Sequence, residues 1–183
     1  MSCEPNQFEP GKVDVAGVVR MMQDCELSAR AGHTIFSTVN CGSLDETQRR
    51  TAGQTIAACF EILVEIGVEI AVVHANASAA DHKESDWQVS RGKSRQSIEE
   101  LTRHAERTGI RMAVENLPNH NTPRPYHSMT ELRQLINDLP DHVGLCLDTT
   151  HAVICGHDPV EQLDIAGDRL FTLHLHDTDG TED

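Results

Sequence analysis

GLCLDTTH, residues 144–151, is the stretch that decides the fold. Its apolar run, Gly144-Leu145-Cys146-Leu147, stops at the ionisable Asp148 and turns into Thr149-Thr150-His151. A run that ends this way presents its last side chain at the carboxyl end of a strand, the edge where parallel α/β folds bind ligands. Three other runs end alike: AVVH at His74, RMAVE at Glu115 and LFTLH at His174. One such ending carries little, but four, each separated from the next by one helical segment, predict a single shared site.

Outward from these runs, strand and helix signals alternate. A helix is predicted near Val13 to Cys25, with Val15, Val18, Val19 and Met22 on one face. A strand follows over Thr34 to Val39. Ser43 and Glu46 form a capping-box pattern for the next helix, whose apolar face carries Ile56, Cys59, Phe60 and Leu63 and which Gly67 stops. The strand Glu69 to His74 leads into a polar stretch, Asn76 to Gly92, read as a long surface loop holding Trp87. A helix from Ser94 to Arg107, the strand Ile110 to Glu115 and a loop with Pro118, Pro123 and Pro125 follow. Ser128 with Glu131, and Asp158 with Pro159 and Glu161, open two further helices around the strand Val143 to Asp148.

This order predicts the α/β class, with about five parallel strands and right-handed crossovers. Successive strands all contribute to the site, which suits a barrel better than the single switch point of an open sheet. A (β/α)8 TIM barrel takes typically ~250 residues, and the chain has 183. The expectation is therefore a partial (β/α)8 barrel, with residues 1–183 as a single incomplete domain.

Hydrophobic residues make up 38% and aromatics 3%, so the core should be aliphatic, as in buried parallel sheets. A formal charge of −14 argues against nucleic acid and against an anionic membrane surface as partners. No run approaches the ~18 apolar residues of a membrane span, and the first residues lack the pattern of a secretory signal. Six cysteines without CxxC spacing read as free thiols of a reducing compartment, so the expected location is cytoplasmic. GxSxG, phosphate-loop and GxGxxG patterns are all absent.

The strand-end residues could carry chemistry. A buried Glu115 must be paired, hydrogen-bonded or metal-bound, whereas one turned to solvent needs nothing; taken alone the two readings are even. Asn116 beside it can hold its orientation. Asp148 and His151, three apart at a strand-to-loop transition, can face one pocket; the alternative is an Asp that caps the following turn. Period-two alternation puts His174 and His176 on one face, so that one can bind metal while the other contacts substrate or accepts a proton. His74 has only its position in its favour. The other histidines (His33, His82, His104, His120, His127, His142 and His157) read as surface residues. Mixed carboxylate and imidazole donors suit a divalent metal ion: Mn, Co, Zn or Mg.

The motifs VVHANAS, AVENLP, LCLDTTH and HLHDTDG, in this order, resemble the xylose isomerase-like TIM-barrel family, which holds sugar phosphate isomerases and epimerases and the endonuclease IV-type AP endonucleases. The resemblance runs from about Val13 to the end. It implies that Glu115, Asp148 and His174 bind the metal, and that His74 and His151 are further ligands or substrate contacts. It also implies that the chain lacks the first two strands and the last, which in relatives bears a second glutamate. Val39-Asn40 stands where the endonucleases carry a metal-binding histidine.

The expected function is that of a divalent-metal-dependent isomerase or epimerase acting on a small keto-sugar or hydroxy-ketone through an enediolate. Glu115 would be ligand and proton acceptor, with His151 and His176 orienting hydroxyls of a small-molecule carbohydrate substrate. A second base would come from the last strand, which leaves the activity of this chain on its own open. The rivals are an AP endonuclease and a non-catalytic barrel fragment whose open edges invite a homo-oligomer.

Overall fold

Each apolar run pairs with the next one along the chain. The computed structural model describes residues 10–76, 86–118, 125–178 and 180. Among them, β1 (Ala31–His33), β2 (Ile70–His74), β3 (Arg111–Glu115), β4 (Val143–Asp148) and β5 (Leu170–His174) form one sheet in chain order. Every neighbouring pair is parallel. The helices are α1 (Val15–Asp24), α2 (Glu46–Ile66), α3 (Trp87–Thr108), α4 (Met129–Ile136), α5 (Thr149–Ile154) and α6 (Pro159–Ala166).

The sheet is curled. At ~4.8 Å per strand, the first and fifth strands of a flat sheet would lie about 19 Å apart. The rings of His33 on β1 and His174 on β5 are 5.8 Å apart, centroid to centroid. Five strands of the (β/α)8 plan thus bend into a partial barrel with helices outside, as the sequence predicts.

Two apolar layers hold this shape. Outside, Val73, Val114, Leu145 and Leu147 pack with helix residues such as Phe60, Leu63, Ile98 and Leu132 in one large core. Inside the curl, Ile70, Val72, Ala113 and Cys146 form a smaller cluster, against which Ala31 and Phe171 pack. Gly144 is obligatory there, because a Cβ would fall 2.6 Å from both the Phe171 ring and the Arg169 carbonyl oxygen. The Arg111 guanidinium covers the same ring at 3.6 Å.

Register brings the strand ends level. His74 pairs with Glu115, Glu115 with Cys146, and Asp148 with His174. An irregularity at Leu145/Cys146 sets Thr172 opposite Cys146, so that His174 arrives level with Asp148.

Three local expectations need correction. The first strand is Ala31–His33, ahead of the predicted Thr34 to Val39. Gly32 lets β1 lie against α2, since a Cβ there would meet the Leu63 side chain at 2.5 Å, and the apolar Ile35 is buried just beyond the strand. The N-cap of α2 is Asp45, which accepts from the Thr47 and Gln48 backbone N–H groups; Glu46 instead binds Arg49, Arg50 and Lys93. Helix α3 begins at Trp87, inside the stretch read as a loop, while residues 77–85 lie outside the described ones. The caps at Ser128 and Asp158 form as predicted. Among the described residues, no helix is long and apolar enough to cross a membrane.

Candidate metal centre

Glu115, at the end of β3, is the hub of the carboxyl-end rim. Its side chain is 2% exposed. Oε2 lies 2.8 Å from His33 Nε2 and 3.1 Å from His74 Nε2. Oε1 lies 2.8 Å from His174 Nδ1 and 3.7 Å from His151 Nδ1. Asp148, equally buried, lies 3.6 Å from His174 Nδ1 through Oδ2.

The two readings of Asp148 hold together. Its Oδ1 accepts from the His151 backbone N–H at 2.9 Å and caps α5, while Oδ2 remains for the cluster. Asn116 orients this residue: its amide nitrogen donates to the Asp148 carbonyl at 3.0 Å, and its amide oxygen accepts from the Asp148 N–H at 2.7 Å. Two histidines are fixed from behind as well. His33 Nδ1 donates to the Thr34 carbonyl at 2.6 Å and His151 Nδ1 to the Asn116 carbonyl at 2.8 Å. In His33 this leaves Nε2, the nitrogen facing Glu115, to give its lone pair to a cation or a proton to Glu115, whereas in His151 Nδ1 is itself the ring nitrogen nearest Glu115 and Asp148.

Burial pushes the Glu115 carboxyl up, but hydrogen bonds from His174, His33 and His74 outweigh it and hold the group well below the usual carboxylate range. Asp148 is likewise held low by His174 and the His151 backbone N–H against its own desolvation. His174, bonded to Asp148, Cys146 and Glu115, is pushed up to about 12. Without a cation, a protonated His174 therefore offsets one of the two carboxylate charges and leaves the other.

The donor set fits a divalent ion. Among the described residues, the cationic partners within ion-pair reach of Glu115 and Asp148 are all histidines, with no Lys or Arg to compensate the two buried charges. Three groups have ligand atoms within 4.8 Å of one another: His33, His74 and Glu115; Glu115, Cys146 and His174; and Glu115, Asp148 and His151.

Of the residues singled out from the sequence, Glu115, Asp148, His174, His74 and His151 converge, and Asn116 supports them. His176 belongs to none of the three groups: β5 ends at His174, and His176 is exposed with its backbone N–H on Thr149 Oγ1. His33, expected on the surface, is instead a member of the cluster. His82 and His120 lie outside the described residues.

Parallel strands whose ends gather carboxylates and imidazoles around one point define a TIM-barrel-type protein with a cation-ready mouth. The chain belongs to the xylose isomerase-like TIM-barrel family, whose model matches residues 4–183. It is 26% identical over 159 residues to an uncharacterized protein of Methanocaldococcus jannaschii, covering 82% of this chain and 52% of that one. It is 23% identical over 163 residues to a probable endonuclease 4 of Clostridium botulinum, covering 84% of this chain and 56% of that one. A solved D-tagatose 3-epimerase-like protein shares the fold with a TM-score of 0.88 at 22% identity, over 99% of this chain and 67% of that one. The chain spans about half the length of the curated relatives it matches.

Proposed function

We propose that the protein is a divalent-metal-dependent isomerase or epimerase of small keto-sugars or hydroxy-ketones. The observation that carries this is the convergence of His174 on the buried carboxylates of Glu115 and Asp148, which have no Lys or Arg counter-ion among the described residues. A divalent cation there supplies Lewis-acid polarisation of a carbonyl, which acidifies the neighbouring C–H.

The chain's own groups do the rest. Glu115, Asp148 and His174 hold the cation, and Asn116 keeps Asp148 aimed at it. His74 and His151, at the rim, orient substrate hydroxyls. The hydrogen bonds that hold Glu115 well below the usual carboxylate range favour its role as ligand over the proton-accepting role expected from the sequence, so the acidified C–H proton would pass to a rim imidazole, His74 or His151. The acidic surface, the small and largely buried cluster and the likeness in fold to an epimerase-like protein support a small neutral substrate.

The test is solvent exchange. With bound Mn²⁺ or Co²⁺, D-tagatose or D-allulose in heavy water should take up deuterium at the carbon next to the carbonyl, read by NMR. Exchange needs proton removal from one side only. Uptake that is unchanged by chelation or in Glu115→Gln would rule the reading out.

A second reading, phosphodiester cleavage in nucleic acid, has one observation behind it. His33 supplies the histidine whose expected absence counts against this reading, and it gives Glu115 Oε2 a second histidine partner beside His74. One curated relative is named a probable endonuclease 4. Chelator-sensitive cutting of an oligonucleotide with an abasic site, without sugar exchange, would decide for it.

A further inference from the structure

We infer that the Cys146 thiol is a donor to the cation held by Glu115 and His174, so that the site selects a thiophilic divalent ion such as Zn²⁺ or Co²⁺ over Mg²⁺. This rests on the reading of the cluster as a cation site. Cys146 lies on β4 in register with Glu115 on β3, facing the inside of the curl beneath the rim. Its Sγ, a Glu115 carboxylate oxygen and a His174 ring nitrogen lie within 4.8 Å of one another.

A fully buried thiol among aliphatic side chains is ordinarily packing material. Cys41 and Cys59 are of that kind: both sit in the outer core and join no ligand group among the described residues. Cys146 differs because its neighbours on one side are Ile70, Val72 and Ala113, while on the other they are two residues with cation-binding atoms. A hydrophobic floor that contributes one sulfur to a carboxylate–imidazole cluster changes its preference. Mg²⁺ takes oxygen donors, whereas thiolate sulfur suits Zn²⁺ at about 2.3 Å. On binding, the S–H bond breaks, the proton leaves to solvent and a sulfur–metal bond forms, with no change of oxidation state.

Cobalt absorption spectroscopy of the whole chain tests this and separates it from the underlying reading. Visible d–d bands report Co²⁺ at the site, and a near-ultraviolet charge-transfer band reports a sulfur ligand. We expect both in the wild type, with the charge-transfer band lost and the visible bands kept in Cys146→Ser. The band should persist in Cys25→Ser, which removes an exposed thiol. Visible bands without charge transfer, or a band that survives Cys146→Ser, would overturn the role of Cys146 and leave the cation site standing. No visible bands at excess cobalt would overturn the cation site itself. Should Cys146→Ser fail to fold, cadmium NMR of the wild type decides the same point, since a thiolate ligand moves the resonance far downfield and an all-oxygen-and-nitrogen set does not.

Discussion

Glu115 Oε2 stands between two imidazole nitrogens, 2.8 Å from His33 and 3.1 Å from His74, while Oε1 faces His174 at 2.8 Å. One carboxylate therefore joins histidines from β1, β2 and β5 across the curl. Replacing Glu115 with Gln keeps the shape and removes the charge. Losing a partner that merely orients a ligand costs roughly 10–100-fold in metal affinity. Glu115→Gln should exceed that, measured by calorimetric titration with Zn²⁺ or Mn²⁺. Gln can still bond the imidazoles but gives up the ionised carboxylate's contribution, so the variant should be folded yet less stable than the wild type.

Much of this site is legible in the sequence. His74, Glu115, Asp148 and His174 each end an apolar run, and such runs in parallel sheets are buried on both faces and hard to mistake. His33 escaped because β1 is short and reads Ala-Gly-His, a poor strand on propensity. The better apolar pattern just after it, Thr34 to Val39, drew the strand forward. His33 stands as far before the first residue of α2 as His74 does before that of α3, a match visible only once both helix starts are placed. His176 misled for the opposite reason. Alternation puts it on the His174 face only while the strand continues, and hydrogen bonding with β4 ends at His174. The start of α3 at Trp87 was hidden by a helix turn whose polar residues carry little apolar periodicity.

Cation binding should release protons. His174 is pushed up to about 12 by Asp148, Cys146 and Glu115, so its ring is protonated in the cation-free chain at neutral pH. A cation takes that proton's place, and its apparent affinity should rise up to about tenfold per pH unit for each proton displaced, about a hundredfold if the Cys146 proton leaves as well. Calorimetry in buffers of different ionisation enthalpy counts the protons. An affinity flat with pH would contradict this exchange.

The same charges set the acid limit of the cation-free fold. Glu115 and Asp148 are held below their unfolded values of 4.5 and 3.8, so their contribution is complete above those values and is lost as pH falls. His174 has the opposite sign: its contribution is complete below 6.5 and fades only as pH rises toward about 12. Urea melts should therefore lose stability between about pH 5 and pH 3, with little change from about pH 5 to pH 7. Saturating Zn²⁺ should raise stability most at the neutral end.

Arg49, on α2, is buried, and its guanidinium binds Glu46, Glu100 and Ser97 Oγ, clamping α2 to α3. Removing one partner of a fully buried pair costs about 3–5 kcal/mol. Glu46 and Glu100 are partly solvated, so Arg49→Ala should cost less, about 2–3 kcal/mol in chemical denaturation. Cation affinity should not change, because neither glutamate reaches the rim cluster. A change in affinity equal to that of Glu115→Gln would mean that the helix layer, not the strand ends, sets the site.

The number of bound cations discriminates between the two functional readings. Glu115 has histidines on both oxygens, but only the Oε1 side also has Asp148 close by. If the His33–His74 side binds a cation of its own, the wild type should take up more than one Zn²⁺ per chain, and His33→Ala should lose one while retaining the ion at His174. His33 Nδ1 is already committed to the Thr34 carbonyl, so the substitution removes a ring whose other nitrogen points at Glu115. Metal analysis after dialysis gives the count, and native mass spectrometry checks it on single chains. A wild type that binds one ion and a His33→Ala variant that binds it equally well would leave His33 as a hydrogen-bond partner that steadies Glu115. That result would weigh against the multi-cation phosphodiester reading and in favour of sugar isomerisation.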